Sequence, residues 1–283
     1  MNDIHQLSQV DTLRLPVTQP FNFRYSLWKP SHFATDLERH SPDVSWRTFR
    51  VGEHVCGVVM RMADPDTLQT DVFSEGSWEE TDRNRLASRL IHSYGLNEDI
   101  SAFVAQAERV PQMAEPLAEL ADMRQSCPEN LFEIAIISLL LQNATVARTT
   151  QMMTNLLDHY GQVAEFDGVT LKAFFTPAEI AGIDESVFRE RDRLGYRAKY
   201  IGRFAEFFTD HDPDEVDHAS KTDLMTEFPD DQGRRTVHSG DHRRIRCARS
   251  LSPWARCLEP QDSGTAVSGC GRCRSSRRAG KDE

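Results

Sequence analysis

The chain has no apolar run approaching the length of a membrane span in its 283 residues. Its first residues, MNDIHQLSQVD, lack the basic stretch and apolar core of a secretory leader, so a cytosolic protein is expected. Cysteine is scarce. Of six cysteines, Cys56 and Cys127 are scattered through the body, and Cys247, Cys257, Cys270 and Cys273 lie near the end. That distribution excludes a secreted disulfide framework. The ten histidines form no i, i+4 pair within a metal-site motif. The CGRC pair, Cys270 to Cys273, is spaced from Cys247 and Cys257 unlike a zinc or iron–sulfur site, so no metal and no cofactor is expected. Basic charge is also short. The formal net charge is −11, yet Arg234 to Glu283 carries 12 Lys+Arg against 5 Asp+Glu, which leaves the preceding body at −18. An acidic surface argues against a polyanionic partner. In a salt-rich cell that repulsion would be screened within a few ångströms, so a nucleic-acid partner is not excluded.

What is present is a pattern that changes with position. Between Phe21 and Phe73, FNFRYSLW, WRTFRVG and VCGVVMRM are apolar or aromatic runs of strand length, separated by turn signals such as HSPD and ADPD. From about Ser77 the period becomes helical. DRNRLASRLIHSYG ends on a glycine stop, and DISAFVAQAE and AEPLAELADM are short amphipathic segments. SCPENLFEIAIISLLLQ is apolar nearly all round, which predicts a buried central helix. Ser126 and Glu129 are spaced as a capping box at its start, with Pro128 in the first turn. ATVARTTQMMTNLLDHYG predicts a second helix ending at Gly161. TPAEIAGI carries another capping box, Thr176 to Glu179, YRAKYIGRFAEFF is amphipathic, and SKTDLMTEF reads as one more short helix. The expected fold class is α+β, a small β-rich N-terminal domain followed by an all-helical bundle. The expected divisions are an extension over 1–20, the β-rich domain over 21–95, the helical domain over 96–228, and a disordered basic tail over 229–283.

Two stretches carry the chemistry, LLLQNATVARTTQMMTNLLDHYG at 139–161 and RDRLGYRAKYIGRFAEF at 191–207. Taken singly, QNA could be a capped turn between helices, and YRAKY a solvated helix face. Together, in this order after a β-rich part, they resemble the helix-hairpin-helix DNA glycosylases, in the branch of 8-oxoguanine DNA glycosylase and 3-methyladenine DNA glycosylase II. The resemblance spans about Phe21 to Phe228, and LGYRAKY is its most specific piece. It implies excision of a damaged purine from duplex DNA after the nucleotide is flipped out, which costs a few kcal/mol and leaves a gap to be held open. Under it, Asn143 enters that gap and Tyr196 wedges beside the orphaned base. Arg148 and Arg197 read that base, Gln142 stands beside the wedge, and Lys199 touches phosphate or remains solvated. The implied partner is duplex DNA containing a damaged base, met by a monomeric, cytoplasmic, nucleoid-associated protein with no membrane contact.

After Phe228 the pattern stops. The family places here a glycine-rich hairpin, whose backbone N–H groups approach a phosphate, and then a catalytic aspartate. FPDDQGRRTVHSG is no such hairpin. Reading the codons one base further along from Pro229 permits I-K-G-V-G-P-Y-T across Asp231 to Ser239 and D-V-W-N-R-K-I-L across Arg256 to Gly264. These are a hairpin turn and an aspartate segment in family order. A frameshift near codon 229 is the expectation, so no catalytic residue is assigned in the chain as written. The alternative is a non-catalytic DNA-binding protein whose RRTVHSGDHRRIR is an arginine-rich arm.

Overall fold

The structure is a computed structural model that describes residues 4–28, 35–52 and 54–214. SKTDLMTEF, the arginine-rich arm, the four late cysteines and the shifted-frame segments lie outside the described residues. The fold is α+β, as expected.

A five-stranded antiparallel sheet forms the N-terminal part. Its strands are β2 (Ser8–Pro16), β3 (Glu38–His40), β4 (Ser45–Val51), β5 (His54–Asp64) and β6 (Thr67–Ser74), in the order β2-β6-β5-β4-β3. The β5 run VCGVVM, Val55 to Met60, is continuously apolar because both faces of this strand are covered. Cys56, Val58 and Met60 pack with Leu86, Leu90 and Tyr94 of helix α2 (Glu80–Tyr94). Val55 and Val59 face the opposite way, toward Ala164, Phe166 and Leu171. Gly57 belongs to that second face. A Cβ there would lie 2.6 Å from the Phe166 ring, so only glycine permits the approach. Helix α2 ends at Gly95 in the left-handed region, as its sequence predicts.

The residues that meet β5 from the far side belong to a small second sheet. Strand β1 (Ile4–Gln6) pairs in parallel with β7 (Gln162–Phe166), which pairs antiparallel with β8 (Val169–Ala173). This hairpin corrects the all-helical reading of the second part. Asp167 and Gly168 both have positive φ, 46° and 71°, and form the two-residue connection that suits right-twisted strands. FNFRYSLW is a second correction. Phe23–Trp28 is helix α1, not a strand. Asn22 Oδ1 accepts from Tyr25 N at 3.0 Å, and this local cap overrides the aromatic strand preference.

The helical part surrounds helix α5 (Leu131–Leu141). Short helices α3 (Ser101–Ala107) and α4 (Ala114–Leu120) precede it. Helices α6 (Val146–Tyr160), α7 (Pro177–Ile180), α8 (Glu185–Glu190) and α9 (Ala198–Asp210) follow. Nearly every α5 side chain is buried, and Phe132 packs edge-on against Phe174, Phe175 and Phe208. The Ser126–Glu129 capping box does not form. Asn130 caps α5 instead, its side chain accepting from Glu133 N at 2.9 Å, and Pro128 precedes the cap. Glu129 is free of that duty and turns into a buried ionic junction between the sheet and the helices. Its carboxylate lies 3.6 Å from Arg89 of α2, and Glu133 lies 3.6 Å from Arg47 of β4. Arg89 continues to Asp214 at 2.5 Å, and Arg50 reaches Glu179 of α7 at 3.2 Å. The Thr176–Glu179 capping box on α7 forms as expected. No helix among the described residues is long and apolar enough to cross a membrane.

Candidate nucleic-acid interface

The two sequence segments singled out above meet at one end of the helical part. The first is the connection between α5 and α6. Gln142 leaves the helix with φ −62° and ψ 122°, and Asn143 follows in the left-handed region at φ 47°. Asparagine tolerates that region better than other side-chain-bearing residues. Thr145 then caps α6, its hydroxyl accepting from Arg148 N at 3.3 Å. Gln142, Asn143 and Arg148 are all exposed. Val146, at the first position of α6, is 65% exposed, the largest exposure among the described large hydrophobic residues.

The second segment is the turn from α8 into α9. Arg193 and Gly195 take positive φ, 59° and 61°, and a short 3-10 turn over Gly195–Arg197 leads into α9. Tyr196 is 44% exposed. Its hydroxyl donates to the Gln142 carbonyl at 3.2 Å, which puts the aromatic ring beside the Asn143 loop. Arg148 donates across to the Arg193 carbonyl. Arg197 is buried, unlike Tyr196 before it, with Nε donating to the Leu139 carbonyl at 3.1 Å and Nη2 to the Gln142 carbonyl. Its guanidinium also lies 4.6 Å from the centre of the Tyr196 ring. Lys199 sits two residues further on, its Nζ 4.7 Å from the Tyr200 ring. The structure thus brings Gln142, Asn143, Arg148, Tyr196 and Arg197 together, with Lys199 on the adjoining turn.

A residue that the sequence analysis did not select anchors the second turn. Asp192 is fully buried. Its carboxylate accepts from Tyr160 Oη at 2.7 Å and from Arg191 Nε at 3.0 Å, and His159 Nδ1 lies 2.6 Å away. Asn155 of α6 donates to its carbonyl at 3.0 Å. Burial, and then the bond to Asp192, hold the Tyr160 phenol above its usual range. The only sequence signal for this hub is an aspartate between two arginines, which on its own reads as a solvated salt bridge.

The electrostatic consequence is local. Asp192 is the one acidic side chain in RDRLGYRAK, and it is inside. Arg148, Arg191 and Arg193 are outside. An acidic chain therefore presents a basic tip at this end. Among the described residues no group of His, Cys, Asp and Glu could hold a metal ion.

No protein-family profile matches the chain, and no curated protein matches it by sequence. Solved structures do match its fold. The 3-methyladenine DNA-glycosylase from Archaeoglobus fulgidus superposes with a TM-score of 0.63 at 13% identity, covering 77% of this chain and 74% of that one. The 8-oxoguanine glycosylase/lyase of Clostridium acetobutylicum, in its apo form, gives 0.50 at 15% identity, covering 74% and 67%. A structure described as MBOgg1 in complex with a low affinity DNA ligand gives 0.51 at 17% identity, covering 79% and 69%. This chain has the fold of the 3-methyladenine and 8-oxoguanine DNA glycosylases.

Proposed function

We propose that the chain is a base-excision-repair DNA glycosylase in architecture. Its place is to bind duplex DNA and open it at a damaged purine whose N-glycosidic bond such enzymes hydrolyse. The observation that carries this reading is the pairing of two exposed probes on one rigid tip. Asn143 stands on a left-handed turn, and Tyr196 is tied to the same turn through the Gln142 carbonyl. A polar side chain able to enter a stack, beside an aromatic able to replace a stacking partner, is what holding open an unstacked duplex needs. The surrounding arginines suit phosphate oxygens. The structural neighbours support the reading, since two are described as a 3-methyladenine DNA-glycosylase and an 8-oxoguanine glycosylase/lyase, and a third, MBOgg1, as in complex with a DNA ligand.

Chemistry is a separate matter. The sequence after Phe228 carries no glycine-rich hairpin motif. We infer that this chain recognises a gap in the duplex but does not release a base, and that the frame after codon 229 is shifted. The test uses the full chain, with a duplex containing a tetrahydrofuran abasic-site analogue compared with the same duplex undamaged. Alkylated-purine and 8-oxoguanine duplexes are assayed for base release in parallel. Preference for the abasic duplex without base release supports both parts. Equal binding to both duplexes overturns the first part, and robust release overturns the second. Loss of all duplex binding on deleting 229–283 would favour the arginine-rich arm instead.

A further inference from the structure

Arg197 lies among the site residues, yet its surroundings separate it from them. It is 6% exposed, whereas Arg148, Gln142, Asn143 and Tyr196 reach solvent. Helix α5 ends beneath it, and the last turn of α5 carries no basic residue of its own. The carbonyls left free at a helix C-terminus need donors, and the helix dipole favours a cation there. Thr149 Oγ1 reaches the Leu140 carbonyl at 3.3 Å. Arg197 donates to two further acceptors, spanning the Leu139 carbonyl and that of Gln142, the residue after the helix, with two nitrogens of one planar fork. The Gln142 carbonyl it holds is also the acceptor for the Tyr196 hydroxyl, and the Tyr196 ring lies against the guanidinium. One side chain therefore touches the backbone that carries Asn143 and the ring of Tyr196.

Resting on the proposed function, we propose that Arg197 is a positioning residue that sets the separation of Asn143 and Tyr196, and that it does not read the base opposite the gap. Turned toward a base, its planar fork would give up both carbonyls, leaving Leu139 with the Gln142 N–H alone and Gln142 with the Tyr196 hydroxyl alone. Opposing-base discrimination then falls to exposed groups such as Arg148.

Arg197→Lys tests this assignment. Lysine keeps the charge but cannot span two carbonyls in a plane. Four fluorescent duplexes are titrated, each with the tetrahydrofuran analogue opposite A, C, G or T, against the full chain and the variant. Amide hydrogen exchange is read over 142–146, with 152–157 as the internal control. The variant should bind all four duplexes roughly tenfold more weakly while the ratios among them stay unchanged. Exchange over 142–146 should rise while 152–157 is unaltered. A loss concentrated on one opposing base overturns the proposal, as does unchanged exchange over 142–146. If the unaltered chain shows no preference for any abasic duplex, the proposed function fails, and the exchange measurement alone decides whether Arg197 holds the turn.

Discussion

At the scale of single residues, the site separates into groups that touch solvent and groups that hold them. Asn143 does both, because its side chain is exposed while its backbone is left-handed. Asn143→Gly removes the side chain and suits the same φ. Stability should change by no more than about 1 kcal/mol, while preference for the abasic duplex over the undamaged one falls. A large loss of thermal stability in that variant would show that the side chain serves the fold. Tyr196→Ala should weaken abasic-duplex binding about tenfold, the scale of one base–aromatic stack, which fluorescence titration would read. Glu129 belongs to the holding groups and makes a different prediction. Burial, opposed by Arg89 and Arg47 and reinforced by Glu133, pushes its carboxyl from 4.5 up to about 7. Between those values the native chain keeps a proton that the unfolded chain has released. The stabilisation from this group is complete below about pH 4.5 and is lost as pH rises to about 7. Thermal stability should accordingly fall across that window, and Glu129→Gln should flatten the slope. An equal slope in both proteins would contradict the assignment. The exposed site residues were legible in the sequence because QNATVAR and LGYRAKY hold them together. Asp192 and the ionic junction were not legible, because a buried charge and a solvated one have the same letter.

At the scale of elements, the long helices were the most readable feature. The helical period of α2 ends on Gly95 and that of α6 on Gly161, where the sequence places their stops, and the short helix α7 starts on its Thr176 box. The errors have separate physical causes. FNFRYSLW has strand-forming side chains, but Asn22 offers a cap within hydrogen-bond reach, and a six-residue segment follows its cap. The Ser126 box lost to Asn130 because Glu129 is drawn into the ionic junction with Arg89. The hairpin β7–β8 carried a readable signal, Asp-Gly between EF and VTL, that was masked by the strong helices on either side. Strand β1 had no such signal, since its three residues are defined by the partner strand, which lies far along the chain. That hairpin gives an element-scale prediction. Gly57→Ala must displace the buried Phe166 ring, so the two sheets should separate locally at a cost of about 1–3 kcal/mol. Chemical denaturation would show it, and Phe166→Leu in the same chain should recover part of the loss. No loss in Gly57→Ala would mean that the ring moves aside freely.

At the scale of the whole molecule, an acidic chain carries a basic tip, and a glycosylase fold leads into a tail without glycosylase grammar. Sequence identities of 13–17% to the structural neighbours lie below what sequence comparison registers, while the fold is retained. Packing explains the contrast, because a core keeps its volume and pattern while its letters change. The salt dependence of duplex binding should be shallow, since few cations face outward at the tip and the rest of the surface is acidic. A steep slope would place the main contact elsewhere. The central claim is that Asn143 and Tyr196 open the duplex at a gap. It is tested most directly with 2-aminopurine placed beside a tetrahydrofuran analogue, whose fluorescence rises when its neighbours unstack. The account predicts a saturable rise on adding the full chain, reduced strongly in Asn143→Gly and Tyr196→Ala. A bound complex with no rise, or a rise undiminished in both variants, would contradict it.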